Sequence, residues 1–142
     1  MNKTITSFLK NNSCASICCI DEQGNPYCFS CFYAYNFEDN LLYFKSSSSS
    51  FHSEIIKKNP LIAGTIQPDK LNKLLTKGIQ FEGSVVKENY PLTDGSIKMY
   101  ENKYPLSIIK SGDIWTVQID KIKMTDSSFG MFKKFYWNRI DG

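Results

Sequence analysis

The sequence predicts a mainly-β fold: a closed or nearly closed, six-stranded antiparallel barrel with Greek-key connections and a few short helices. Three observations predict it. At least six short segments carry apolar residues in runs or in alternation with polar ones. Clusters of polar turn residues separate several of them, as at 21–26 and 36–40. The helical segments are few, and they interrupt a β-meander. A sheet of this kind rids itself of exposed edges by closing. At 142 residues the chain is long enough for one domain, 1–142, with a substantial core and no need of disulfide or metal staples.

Each element can be justified in order. Residues 4–11 read as a short helix with Ile5, Phe8 and Leu9 on one face. Cys14–Ile20 is small and apolar, the first strand. After the turn at 21–26 comes an aromatic-rich second strand, 27–35. The third, 41–45, is almost wholly apolar. Five serines follow, then an amphipathic helix, Phe51–Lys58, stopped by Asn59-Pro60. Residues 61–67 are the fourth strand and 76–87 the fifth. In the fifth, Ile79, Phe81, Gly83 and Val85 alternate with Gln80, Glu82 and Ser84, so one face is wet. Residues 93–104 have helical spacing, with Ile97, Tyr100 and Tyr104 on one face and Thr93 or Asp94 as cap. The sixth strand, 114–120, points Trp115, Val117 and Ile119 inward, and Ile122 and Met124 extend the pattern. Residues 129–139 are an aromatic and basic tail.

Composition narrows the function. Apolar residues make up 42% and aromatics 14%, which suits a globular chain. The net charge of +3 is too small to point to nucleic acid by itself. No apolar run has the length of a membrane span, and the N-terminus MNKTITSFLKNNS lacks the apolar centre of a signal peptide. A cytoplasmic protein is expected, with its five cysteines as reduced, buried thiols. Cys28 and Cys31 form a CxxC, but residues three apart on a strand face opposite ways, which suits neither a chelate nor a redox pair. His52 is the only histidine, so neither a zinc site nor a catalytic triad is expected.

The serines carry the candidate site. Ser46, Ser47, Ser48, Ser49 and Ser50 join a strand directly to a helix. Hydroxyls and unpaired backbone N–H groups at a helix N-terminus make an anion pocket, and the helix dipole adds to it. Lys45 and His52 flank the run and supply positive charge. A flexible linker is the other reading of a serine run. Its short length between two ordered elements argues for an ordered turn. Tyr33 and Tyr35 are expected to line a groove, with packing as the alternative role.

The segments GIQFEG (78–83), IWTVQIDKIKMTD (114–126) and FGMFKKFYWNR (129–139) add a resemblance, as does the strand, serine turn, helix and Asn-Pro stop of 41–60. Nearly the whole chain resembles the pyridoxamine-phosphate-oxidase-like FMN-binding split β-barrel proteins, within them a small bacterial group. The resemblance implies a homodimer with FMN at the subunit interface and the flavin ring along residues 30–35. It places Lys45 and Ser46 where the oxidases contact FMN, and Ser50 on their serine before a basic pair. Trp137, with Lys133, Lys134 and Arg139, would cover the flavin from the partner subunit. The chain departs from the oxidases at three places. Phe51-His52 replaces Arg-Lys, Gly78 replaces a flavin-contacting Gln, and the segment that holds pyridoxal phosphate is not recognisable. The expected function is FMN binding, with flavin-dependent oxidation or flavin reduction on a small-molecule substrate or electron donor. The alternatives are a non-catalytic flavin or haem carrier and, less favoured, a nucleic-acid-binding barrel using the basic–aromatic tail.

Overall fold

The alternating segments pair into one antiparallel sheet in a computed structural model that describes residues 1–87 and 93–141. The strands are β1 (Cys14–Ile20), β2 (Pro26–Asn36), β3 (Leu41–Ser46), β4 (Leu61–Ile66), β5 (Lys77–Val86), β6 (Asp113–Asp126) and β7 (Lys133–Asn138). Their order is β3-β2-β1-β4-β5-β6-β7, and β3 also pairs with β6. That pairing closes the first six strands into the expected barrel. The chain passes from β3 to β4 across two intervening strands by way of α2 (Phe51–Lys58), a Greek-key connection.

β6 is where the barrel splits. Its first half, from Asp113 to Gln118, pairs with β3, and its second half, from Lys121 to Asp126, pairs with β7. Between the halves Asp120 is an extra residue, because Glu82 faces Lys121 and Gly83 faces Ile119. This bulge flips the alternation. Val117 and Ile119 are buried before it, Ile122 and Met124 after it. Gly83 is needed at this point, since a Cβ there would collide with the Gln118 carbonyl oxygen.

The barrel core contains Ile17, Cys19, Leu42, Phe44, Ile66, Ile79, Ile119 and Met124. Helix α1 (Lys3–Asn11) adds Ile5, Phe8 and Leu9 to it. Asn2 caps α1 by accepting from the Thr4 N–H at 2.7 Å. Helix α3 (Ser96–Lys103) makes a second, smaller core, in which Tyr100 meets Ala34, Leu41 and Tyr43. No helix among the described residues is long and apolar enough to cross a membrane.

Four expectations need correction. The aromatic–basic tail contains a seventh strand, β7, with Phe135 and Trp137 packed on the core. The N-cap of α3 is Gly95 at φ +77°, so neither Thr93 nor Asp94 occupies the cap position. Ile97 is exposed, because α3 turns Ser96 and Tyr100 inward instead. The cysteines are not a buried set. β1 alternates, so Cys19 is buried while Cys14 is exposed and Cys18 half-buried; on β2, Cys28 is exposed and Cys31 half-buried.

Candidate functional site

The serine run is an ordered turn between β3 and α2. Ser50 is the N-cap of α2, with extended backbone, and its Oγ accepts from the Ser53 N–H. The Ser50 hydroxyl also lies 2.9 Å from the Ser47 carbonyl oxygen and 2.7 Å from Ser53 Oγ, with its single proton shared between them. Ser53 is fully buried and returns to the Ser47 carbonyl at 2.7 Å. Ser47 Oγ and Ser49 Oγ lie 2.9 Å apart on the exposed side. Ser48 contributes its carbonyl, which accepts from Lys57 Nζ at 2.7 Å. These bonds shape the turn before any ligand arrives.

His52 stands at the centre. Its Nε2 is 2.6 Å from Ser46 Oγ and 3.2 Å from Ser50 Oγ. Its ring stacks on Phe29 at 3.7 Å between centroids and 9° between planes. Burial lowers the His52 pKa below its ordinary 6.5, so the free protein holds a neutral imidazole at neutral pH. The Ser46 carbonyl accepts from Trp115 Nε1 at 3.0 Å, which ties the mouth of the turn to β6. Two hydroxyls and one imidazole nitrogen thus converge at the N-terminus of α2. That set can donate to an anion from several directions at once.

The other expected residues lie elsewhere. Lys45 turns away from the serines and donates to the Ser107 carbonyl at 2.7 Å. Tyr33 is wholly buried, and its hydroxyl donates to the Leu9 carbonyl at 2.8 Å. Tyr35 is 7% exposed, with a buried hydroxyl that has no partner among the described residues. Neither ring borders a groove of the single chain, because both side chains point into the core. Trp137 lies on β7, opposite Ile122, with the Arg139 guanidinium 5.7 Å from its ring centre. It lines a cavity of about 950 Å³, an open trough on the sheet that also contains Cys18, Cys28 and Gln80. Ser46, Ser50 and His52 are not among the residues that line that trough.

Three contributors escaped the sequence reading. Phe29 and Trp115 reach the turn only through strand pairing, and no local pattern marks them. Lys57 carried a readable signal, since it lies in the last turn of α2 on the side that returns to the helix start.

No family model matches the chain. It is similar to a UPF0306 protein of Yersinia pseudotuberculosis and another of Yersinia pestis. Each is 27% identical over 137 residues, covering 96% of this chain and 92% of the relative. Among solved structures, a haem-binding protein from Mycobacterium smegmatis superposes with a TM-score of 0.74 at 9% identity. The match covers 92% of this chain but only 55% of that protein. HutZ, a haem storage protein from Vibrio cholerae, gives 0.65 at 14% identity over 95% of this chain and 92% of its own. A pyridoxamine 5′-phosphate oxidase-related, FMN-binding protein from Nostoc punctiforme gives 0.70 at 11% identity, over 96% and 88%. Likeness at such identities speaks for fold and not for activity. The chain therefore shares its split-barrel fold with these solved structures, the FMN-binding protein from Nostoc punctiforme among them.

Proposed function

We propose that the protein binds FMN, with the phosphate at the turn that carries Ser46, Ser50 and His52. The observation that carries this reading is the convergence of both hydroxyls on His52 Nε2 at the start of α2. Phe29 holds the imidazole plane, so little side-chain freedom is lost when an anion arrives. The first N–H groups of α2 would complete the shell. Lys45, committed to Ser107, would be a secondary contact at most. A bound flavin would supply hydride or electron transfer, and the protein would supply position, electrostatics and exclusion of water. The activity class that fits is a flavin-dependent oxidoreductase or flavin reductase.

The site also favours a homodimer. Ser46 pairs with Asp113 and Trp137 with Ile122, nine residues further along β6. At about 3.3 Å per residue that is up to roughly 30 Å of strand, farther than one FMN reaches from a phosphate held at the turn. A second copy can bring its Trp137 to the first copy's turn, and a two-fold axis makes the arrangement reciprocal.

Titration with FMN and with riboflavin, followed by absorbance and fluorescence, tests the reading. FMN should bind at least about tenfold tighter, the worth of one charge-assisted hydrogen bond. Equal affinities, or no flavin binding at all, would remove the phosphate site. Haem is the second reading, favoured by the two haem-handling proteins of the same fold, and added haem would then give a Soret band.

A further inference from the structure

Cys28 faces away from Cys31, three residues on, and lies directly opposite Cys18 across the β1–β2 ladder. The ladder fixes what kind of pair this is. The Tyr33 N–H donates to the Ser13 carbonyl at 2.9 Å, and the Asp21 N–H donates to the Asn25 carbonyl at 3.0 Å. Both bonds fall on odd-numbered residues of the first strand and its ends. The even-numbered pairs are therefore the non-hydrogen-bonded ones, whose Cα atoms approach to about 4.5 Å with side chains close together. That separation lies within the range of about 4.4–6.8 Å that a disulfide spans. The next pair of the same kind, Ser16 and Ser30, shows the closeness, with Oγ atoms 3.4 Å apart.

Both thiols border the open trough, where Cys28 is exposed and Cys18 half-buried. The other cysteines are placed differently. Cys19 is buried in the core. Cys31 is packed against the core, and burial pushes its pKa up to about 12. Cys14 lies opposite Phe32.

We propose that Cys18 and Cys28 form a reversible dithiol–disulfide site that exchanges with small-molecule disulfides reaching the trough. The inference stands on strand register and is independent of the flavin reading. Cys28, the more exposed thiol, loses its proton to solvent and attacks one sulfur of the small disulfide RSSR. The S–S bond breaks, and one RS⁻ leaves with the electron pair and takes up a proton. The deprotonated Cys18 then attacks the Cys28 sulfur of the mixed disulfide and displaces the second RS⁻. The two cysteines are oxidised to one disulfide, and RSSR is reduced to two RSH. The hydrogen bond to Cys28, followed by partial burial, raises the Cys18 pKa, so the closing step quickens as pH rises. The bond staples β1 to β2 at the trough wall, and a reductant releases it.

The test uses the full chain, fully reduced and then incubated with oxidised glutathione across a pH series. Remaining thiols are alkylated and the peptides mapped by mass. The expected product is a Cys18–Cys28 linked peptide, with the other three of the five cysteines recovered as thiols. Dithiothreitol should reverse it. Its rate should rise about tenfold per pH unit while the attacking thiol stays mostly protonated. The C18S variant should stop at glutathione held on Cys28, a result that requires only that Cys28 react. Wild-type protein that keeps glutathione on Cys28 overturns the proposal. So does a bond joining other cysteines or two chains, or full alkylation of both Cys18 and Cys28.

Discussion

Phe29 and two serine hydroxyls hold the His52 ring in place, and burial keeps it neutral in the free protein. A bound phosphate reverses that balance, because its charge favours the imidazolium. His52→Ala should therefore weaken FMN by about 1.5–3 kcal/mol, roughly ten- to a hundredfold, and leave riboflavin nearly unchanged. Parallel flavin titrations of the two proteins check this. Equal loss for both ligands would move the phosphate away from His52. Wild-type FMN affinity should fall as pH rises above neutrality, since binding takes up a proton at His52. The phosphate opposes this trend only near its own second pKa of about 6. The ligand-free protein should respond the other way. A histidine with a lowered folded pKa leaves the unfolded chain with more bound protons below 6.5. Stability should thus decline as pH falls through 6.5 toward the folded value, and His52→Ala should remove that part of the slope in urea melts. The sequence made the serines and His52 legible because they are contiguous and sit at a helix start. It could not show Phe29 beneath the ring, or Lys45 turned to Ser107, because strand register and the fold of the 105–109 turn decide those.

The element that builds the site is the β3–α2 junction, and its bonds are local. Ser50→Ala removes the N-cap acceptor and the link to Ser53, and should destabilise by about 0.5–2 kcal/mol. Ser48→Ala removes only an exposed hydroxyl and should stay within about 0.5 kcal/mol. Urea unfolding of the two variants separates capping from a general sensitivity of the turn. Most elements were legible, since alternation in β5 and the apolar run of β3 survive folding unchanged. β7 was not. Its Tyr136 points outward beside lysines, which blurs the alternation of Phe135 and Trp137. The cysteines misled for a related reason: β1 has Ser16 as its one polar residue, too little to show which cysteines face out, and only pairing with β2 and β4 reveals it.

At the scale of the whole molecule, the separation of Trp137 from the serine turn makes assembly the informative measurement. Light scattering at micromolar concentration should give the mass of a dimer of 16.3 kDa chains, and a monomer would remove the shared-site reading. Chelator treatment should leave the melting temperature unchanged, because a structural metal would be part of the folding free energy. The barrel, its strand count and its Greek-key crossing were legible from spacing. The division of β6 between β3 and β7 was not, because one inserted residue at Asp120 leaves no trace until Gly83 is set against it. That division governs how the chain must be made. β3 begins at Leu41, yet its barrel-closing partner runs from Asp113 to Gln118. On the ribosome the edge of β3 waits unpaired while some seventy further residues are synthesised. Closure is then one of the last folding events, a long-range and slow one. During that interval the apolar edge formed by Leu41, Leu42, Tyr43 and Phe44 is open to pairing with other nascent chains.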